Sequence, residues 1–185
     1  MKIGVMGAAG SFSEQAGNKY IAMQNVKDAV LVPLVHAKAV LTALEEGRID
    51  LGIFPIENSN GGIVIEAVHA MARHRFVIEG MFELDVHHML MVKPGVNPSD
   101  IVTITSHDQA LKQCRMYLKR RWPEVELVAY EDTAKAAADL ASDALPPSAA
   151  VIAPRGAAEM YGLEIIEQSI QDLKFNYTTF VVAKR

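Results

Sequence analysis

Ala29–Ile56 reads AVLVPLVHAKAVLTALEEGRIDLGIFPI, a short apolar run, an amphipathic Ala-rich stretch and a second short apolar run. Ala29 to Leu34 and Leu51 to Ile56 have the length and composition of strands, and Ala37 to Glu46 has the spacing of a helix. A strand, a helix and a strand in succession make the unit from which parallel sheets are built.

The alternation continues in both directions. Upstream lie Lys2 to Met6 (strand) and Ser11 to Met23 (helix), and downstream a helix from Ile63 to His74. Phe76 to Val92 is too long for one strand and has a turn candidate at Glu79-Gly80, so it is read as two extended segments leaving one lobe and entering another. After the loop at Pro94–Pro98 come Ile101 to Thr105 (strand), Asp108 to Arg121 (helix), Val125 to Ala129 (strand), Thr133 to Asp143 (helix), Ala150 to Ala153 (strand) and a short helix after Pro154-Arg155-Gly156. Tyr177 to Val182 is apolar and β-branched and needs a sheet; its return to the first lobe gives two crossing connections. The expectation is one α/β domain over residues 1–185, with lobe 1 at about 1–78 plus 165–185 and lobe 2 at about 79–164. Its sheets are largely parallel, and a hinged cleft separates the lobes.

Composition narrows the function classes. Eighteen Lys and Arg against 22 Asp and Glu give a net charge of −4, and the only basic cluster is Lys119-Arg120-Arg121, so no nucleic-acid partner is expected. No apolar run approaches the roughly 20 residues that span a bilayer, so no membrane partner is expected either. The single cysteine, Cys114, lies between Leu111 and Leu118 at helical spacing and reads as a core residue. Without an internal disulfide or a secretory leader, the expected location is cytoplasmic.

Chemistry-bearing residues gather at strand ends. Gly4 to Gly10 spaces its glycines as G-x-x-G-x-x-G, not as the G-x-G-x-x-G of a dinucleotide site, so no nucleotide cofactor is expected. The glycines lead into Ser11-Phe12-Ser13-Glu14, where Ser11 is a candidate N-cap and Glu14 its capping-box partner. The exposed N–H groups of this helix start, with the Ser11 and Ser13 hydroxyls, suit a carboxylate. Pro55-Ile56-Glu57-Asn58-Ser59-Asn60-Gly61-Gly62 follows a strand, where open α/β sheets bind ligands. Ser106-His107-Asp108-Gln109 repeats that position, with a histidine able to titrate near neutrality or orient an anion. The other five histidines form no metal-ligating spacing, so no metal is expected.

Taken in order, these segments resemble prephenate dehydratase. The matching pieces are GAAGSFS (7–13) against G-P-x-G-T/S-F-S, PIENSNGGIV (55–64), SHDQAL (106–111) against S-H-P-Q-A-L, TAKAA (133–137), AAEMYGL (157–163), and IQD (170–172) followed by NYTTF (176–180). The resemblance implies a two-lobed, periplasmic-binding-protein-like α/β fold of mixed, mostly parallel sheets with a ligand cleft between lobes. It also implies conversion of prephenate to phenylpyruvate without a cofactor. Thr178 is implied as the principal catalytic residue; because a threonine hydroxyl is a weak acid, Glu57 and His107 are expected to be catalytic with it, one of them as its proton relay. Ser11, Ser13, Asn58, Ser59, Ser106, Gln109, Asn176 and Phe180 are implied as substrate-binding. The family arginine after the threonine is Thr179 here, with Lys174 and Arg155 as candidate replacements for its charge. Ala8, Asp108 and Asp132 are milder departures. The sequence ends at Arg185, so no phenylalanine-binding ACT domain, and no feedback inhibition within this polypeptide, is expected. Prephenate is the expected partner, and homodimerisation is left open. Non-aromatising prephenate decarboxylase, arogenate dehydratase and a non-catalytic small-molecule binding protein are the alternatives.

Overall fold

A computed structural model of the protein describes residues 1–185. The elements are β1 (Lys2–Val5), α1 (Phe12–Met23), β2 (Val30–Pro33), α2 (Ala37–Glu45), β3 (Leu51–Asn58), β4 (Gly62–Ile63), α3 (Ile65–Met71), β5 (Val77–Asp85), β6 (Met89–Val92), β7 (Thr103–His107), α4 (Asp108–Gln113), α5 (Arg115–Arg121), β8 (Glu126–Tyr130), α6 (Thr133–Ala141), β9 (Ala149–Ala153), α7 (Arg155–Tyr161), β10 (Glu164–Glu167) and β11 (Tyr177–Lys184). They form two compact units, Met1–Asp85 with Tyr177–Arg185, and Val86–Asn176. No helix is long and apolar enough to cross a membrane.

The sheet of the first unit has the order β2-β1-β3-β11-β5, with β4 paired to β3. β1 is parallel to β2 and β3, and β11 lies antiparallel between β3 and β5. Successive side chains of a strand point to opposite faces. Phe180 and Val182 therefore join Ile3, Ile53, Leu84 and Ala16 of α1 in one core, while Val181 and Ala183 join Val40, Leu41, Phe54 and Ala67 in the other, beneath α2 and α3. Burial on both faces explains why the last strand is apolar almost throughout.

The second unit has the order β10-β6-β9-β7-β8, with β7 parallel to β8 and β9, and β6 antiparallel to β9 and β10. β9, AAVIA, is buried at every residue. One of its faces packs with Leu111, Cys114 and Leu118, the other with Ala136, Leu140 and Ala157. In both units parallel order is confined to strands linked through helices, and the strands that enter from a crossing or the chain end are antiparallel.

The Glu79-Gly80 turn candidate is absorbed into β5. Its pairing with β11 steps from Val182↔Gly80 to Ala183↔Ile78, so Glu79 is an extra residue in an irregular ladder and the strand continues to Asp85. The crossings consequently fall at Asp85–Val86 and Asn176–Tyr177. They are held side by side by Tyr177 paired with Asp85 and by a 2.7 Å bond from the Val86 N–H to the Asn176 carbonyl. The helix expected over Asp108–Arg121 divides at Cys114, a fully buried residue. The Asp172 carboxylate supplies the reason: it accepts the N–H groups of Met116 and Tyr117, both at 2.7 Å, and so caps a new helix start.

Candidate functional site

In the first unit the C-terminal ends of β1 and β3 and the N-terminal end of β11 share one edge of the sheet, because β1 and β3 are parallel and β11 is antiparallel to β3. Ser11 and Ser13 follow β1, Glu57 to Ser59 close β3, and Thr178 opens β11. The topology thus gathers the family's first-unit motifs at one edge.

Ser11 is the N-cap of α1, and its Oγ accepts the Glu14 N–H at 3.3 Å. The Glu14 carboxylate takes the Gly10 N–H at 2.6 Å, one residue before the capping-box position, because the Ser11 N–H is bonded to the Ala8 carbonyl. Gly7 is required by space. A Cβ there would lie 2.3 Å from Ser11 Oγ and 3.0 Å from Ser13 Cβ, so only glycine lets the loop curl beneath the two buried serines.

Asn58 and Thr178 face each other across β3 and β11, and Asn58 Nδ2 donates to Thr178 Oγ1 at 2.9 Å and to the Tyr177 carbonyl at 3.2 Å. The amide orientation is settled by its other end, where Oδ1 accepts the N–H groups of Asn60 (3.0 Å) and Gly61 (2.7 Å). Ser59 Oγ accepts the Tyr177 N–H at 3.0 Å. Thr178 is 9% exposed. With its oxygen accepting from Asn58, the hydroxyl keeps its proton for another partner.

Glu57 is paired with Thr179, not Thr178. By strand alternation the pair faces the α2–α3 side, whereas Thr178 faces the α1 side with Phe180. A direct relay from Glu57 to Thr178 is therefore not what this sheet provides. Phe180, implied as substrate-binding by the resemblance, is 1% exposed, packs in the core on the α1 side and stacks on Phe82 at 5.8 Å and 20°. Thr179 lies between Glu57 on β3 and Glu83 on β5. Thr179→Arg is expected to fold, since opposite charges across strands add about 0.2–1 kcal/mol each. A drop in the urea midpoint of this variant would contradict the register.

In the second unit Ser106 is fully buried and its hydroxyl donates to the Ile152 carbonyl at 2.6 Å. It ties the end of β7 to β9. His107, exposed, caps α4 by accepting the Gln109 N–H on Nδ1 at 3.2 Å, which leaves the neutral ring's proton on Nε2. Gln109 is half-buried beside it. Asn176 is fully buried, and its amide donates to Gln113 Oε1 at 2.9 Å. The same oxygen accepts from His88 Nε2 at 2.7 Å. Asn176 therefore pins the crossing in place. Arg155, one candidate for the missing family charge, donates to Gln168 Oε1 at 2.6 Å.

Sequence reasoning missed His88, Gln113 and Asp172 as parts of this support, since each takes meaning only from contacts across 25 to 63 residues of chain. Burial pulls the His88 pKa below the usual histidine value; the nearby His87 adds to this and the Gln113 bond opposes it. The unfolded chain then binds a proton that the folded chain resists. This contribution to stability is present above the unfolded value of about 6.5 and is lost as pH falls below it. The urea midpoint is expected to fall below that pH and to fall less steeply in His88→Gln; equal slopes would contradict the assignment.

Comparison with known proteins places these motifs. The family model described as prephenate dehydratase matches residues 3–185. The chain is 37% identical over 185 residues to arogenate dehydratase/prephenate dehydratase 6, chloroplastic, of Arabidopsis thaliana, covering 100% of this chain and 43% of that protein. It is 32% identical over 182 residues to the bifunctional chorismate mutase/prephenate dehydratase of Stutzerimonas stutzeri, covering 98% and 48%. The chain thus spans less than half the length of these two curated relatives. The prephenate dehydratase of Arthrobacter aurescens, solved in complex with L-Phe, superposes with a TM-score of 0.90 at 28% identity over 100% of this chain and 60% of that one. A periplasmic substrate-binding protein of an ABC transporter from Coxiella burnetii, 13% identical with a TM-score of 0.52 over 98% of this chain and 84% of that one, shares the fold alone. By motif order, fold and a family match across nearly its whole length, the chain belongs to the prephenate dehydratase family.

Proposed function

We propose that this chain converts prephenate to phenylpyruvate, a carbon–oxygen lyase reaction of phenylalanine biosynthesis. The Asn58–Thr178 hydrogen bond carries this reading. In the reaction one carboxylate leaves as CO2, its bonding electrons enter the ring, and the ring C–O bond breaks with hydroxide departing as water. A hydroxyl that meets the departing oxygen with its proton lowers that barrier. Donation from Asn58 directs the Thr178 proton away from β3 and stabilises negative charge growing on Oγ1, which makes a weak acid a better donor. The Ser11 and Ser13 hydroxyls at the start of α1 suit a carboxylate, with Ser59 at the same sheet edge.

Asn58→Asp tests the polarity of that bond. It replaces the amide donor with an acceptor, so the threonine proton turns toward the aspartate. The expected loss in kcat is about 10²-fold or more, at little cost in KM. Unchanged kcat would remove Asn58 from the mechanism.

Arogenate, which carries an amino group where prephenate has a keto group, is the second reading, favoured by the name of the Arabidopsis relative. Parallel incubations with the two substrates and chromatography of the products separate the readings. Phenylpyruvate from prephenate supports the proposal, and phenylalanine from arogenate alone supports the second. Neither product would leave a binding protein.

A further inference from the structure

A groove of about 660 Å³ lies between α2 and α3 on the first unit, and none of the residues assigned above lines it. Its volume is that of a small-molecule site. The floor is small and apolar, formed by Ala39 and Ala70, and three cations, Lys38, Arg48 and Arg73, stand around it. The one acid in the lining is Glu66. Its carboxylate is already engaged, accepting the Ala37 N–H at 3.2 Å and lying 3.4 Å from His36 Nδ1. Arg48 shares its Nε with Glu46 at 2.6 Å, and Lys38 and Arg73 make no ion pair within the chain. Counting Glu46 and Glu66 against Lys38, Arg48 and Arg73, the groove keeps an excess of one positive charge on a protein whose net charge is −4.

The wall of the groove is preformed. His74 donates from Nδ1 to the Ala70 carbonyl at 2.8 Å, and its Nε2 shares a hydrogen bond with the Thr42 hydroxyl at 3.1 Å, so the imidazole ties α2 to the end of α3. Floor and rim together ask for two features in one ligand: an apolar body thin enough to rest on alanine methyl groups, and an anionic head within reach of Lys38 and Arg73.

We infer that this groove is a second, non-catalytic site for an aromatic carboxylate. The inference does not rest on the proposed reaction. It is tested on the whole chain with 2-naphthoate as the probe, its neutral counterpart 2-naphthylmethanol, and inorganic phosphate, using calorimetry and ¹H–¹⁵N spectra. Saturable binding of 2-naphthoate that shifts the amides of Ala39, Thr42 and Ala70 is expected, with the neutral alcohol and phosphate each markedly weaker. Lys38→Glu and Arg73→Glu, both at exposed positions, are each expected to weaken 2-naphthoate by about ten- to hundredfold, the range for a lost charge-assisted bond. Absence of saturable binding would overturn the site, as would shifts confined to other elements. Equal binding of the alcohol or of phosphate, or unchanged affinity in both variants, would overturn the aromatic carboxylate assignment.

Discussion

Replacing Thr178 by alanine is expected to lower kcat for prephenate by about 10²- to 10⁴-fold, the range for removing a positioned proton-transfer group. The fold should survive, because the hydroxyl makes one side-chain bond, to Asn58, and that amide keeps its bond to the Tyr177 carbonyl. Thr178→Ser keeps an oxygen that Asn58 can reach and should retain much of the activity. Thr178→Val keeps the shape without the oxygen and should behave like alanine. Full turnover by the valine variant would remove the hydroxyl from the reaction.

Phe180→Ala is expected to cost about 3–5 kcal/mol of stability, the usual penalty for emptying a buried aromatic position. Phe180 is 1% exposed, packs among Ile3, Ile53, Leu84 and Val182, and stacks on Phe82. Such a loss is a large share of the roughly 5–15 kcal/mol that holds a domain folded. A residue that contacted substrate would instead raise KM and leave the urea midpoint in place. That outcome would return Phe180 to the binding site.

These two residues also show how far the sequence carries. The run NYTTF announces a strand, and β-alternation alone puts Thr178 and Phe180 on one face and Thr179 on the other. What it does not announce is which residue of β3 meets which residue of β11. That register depends on a bulge at Ile56, where the pairing steps from Thr179↔Glu57 to Phe180↔Pro55, and it alone sets Asn58 beside Thr178 and Glu57 beside Thr179. Motif order could name the first-unit residues but not assign their partners.

The second unit is legible in the same partial way. SHDQ reads as a strand-to-helix junction, and His107 and Gln109 stand at one, between β7 and α4. The resemblance implies Ser106 and Asn176 as substrate-binding residues, and both are fully buried. Their burial follows from the Ile152 carbonyl and from Gln113, partners 46 and 63 residues away along the chain. A buried polar group is tolerable only when such a partner exists, and no local pattern reveals one. The break at Cys114 has the same origin: the local sequence reads as one continuous helix, and the distant Asp172 starts a second.

Release of CO2 and appearance of an aromatic product, followed together after mixing the protein with prephenate, test the central claim most directly. The proposed reaction requires the two to rise in a one-to-one ratio at the same rate, and both to be suppressed together in Thr178→Val. CO2 released without aromatic product would contradict it.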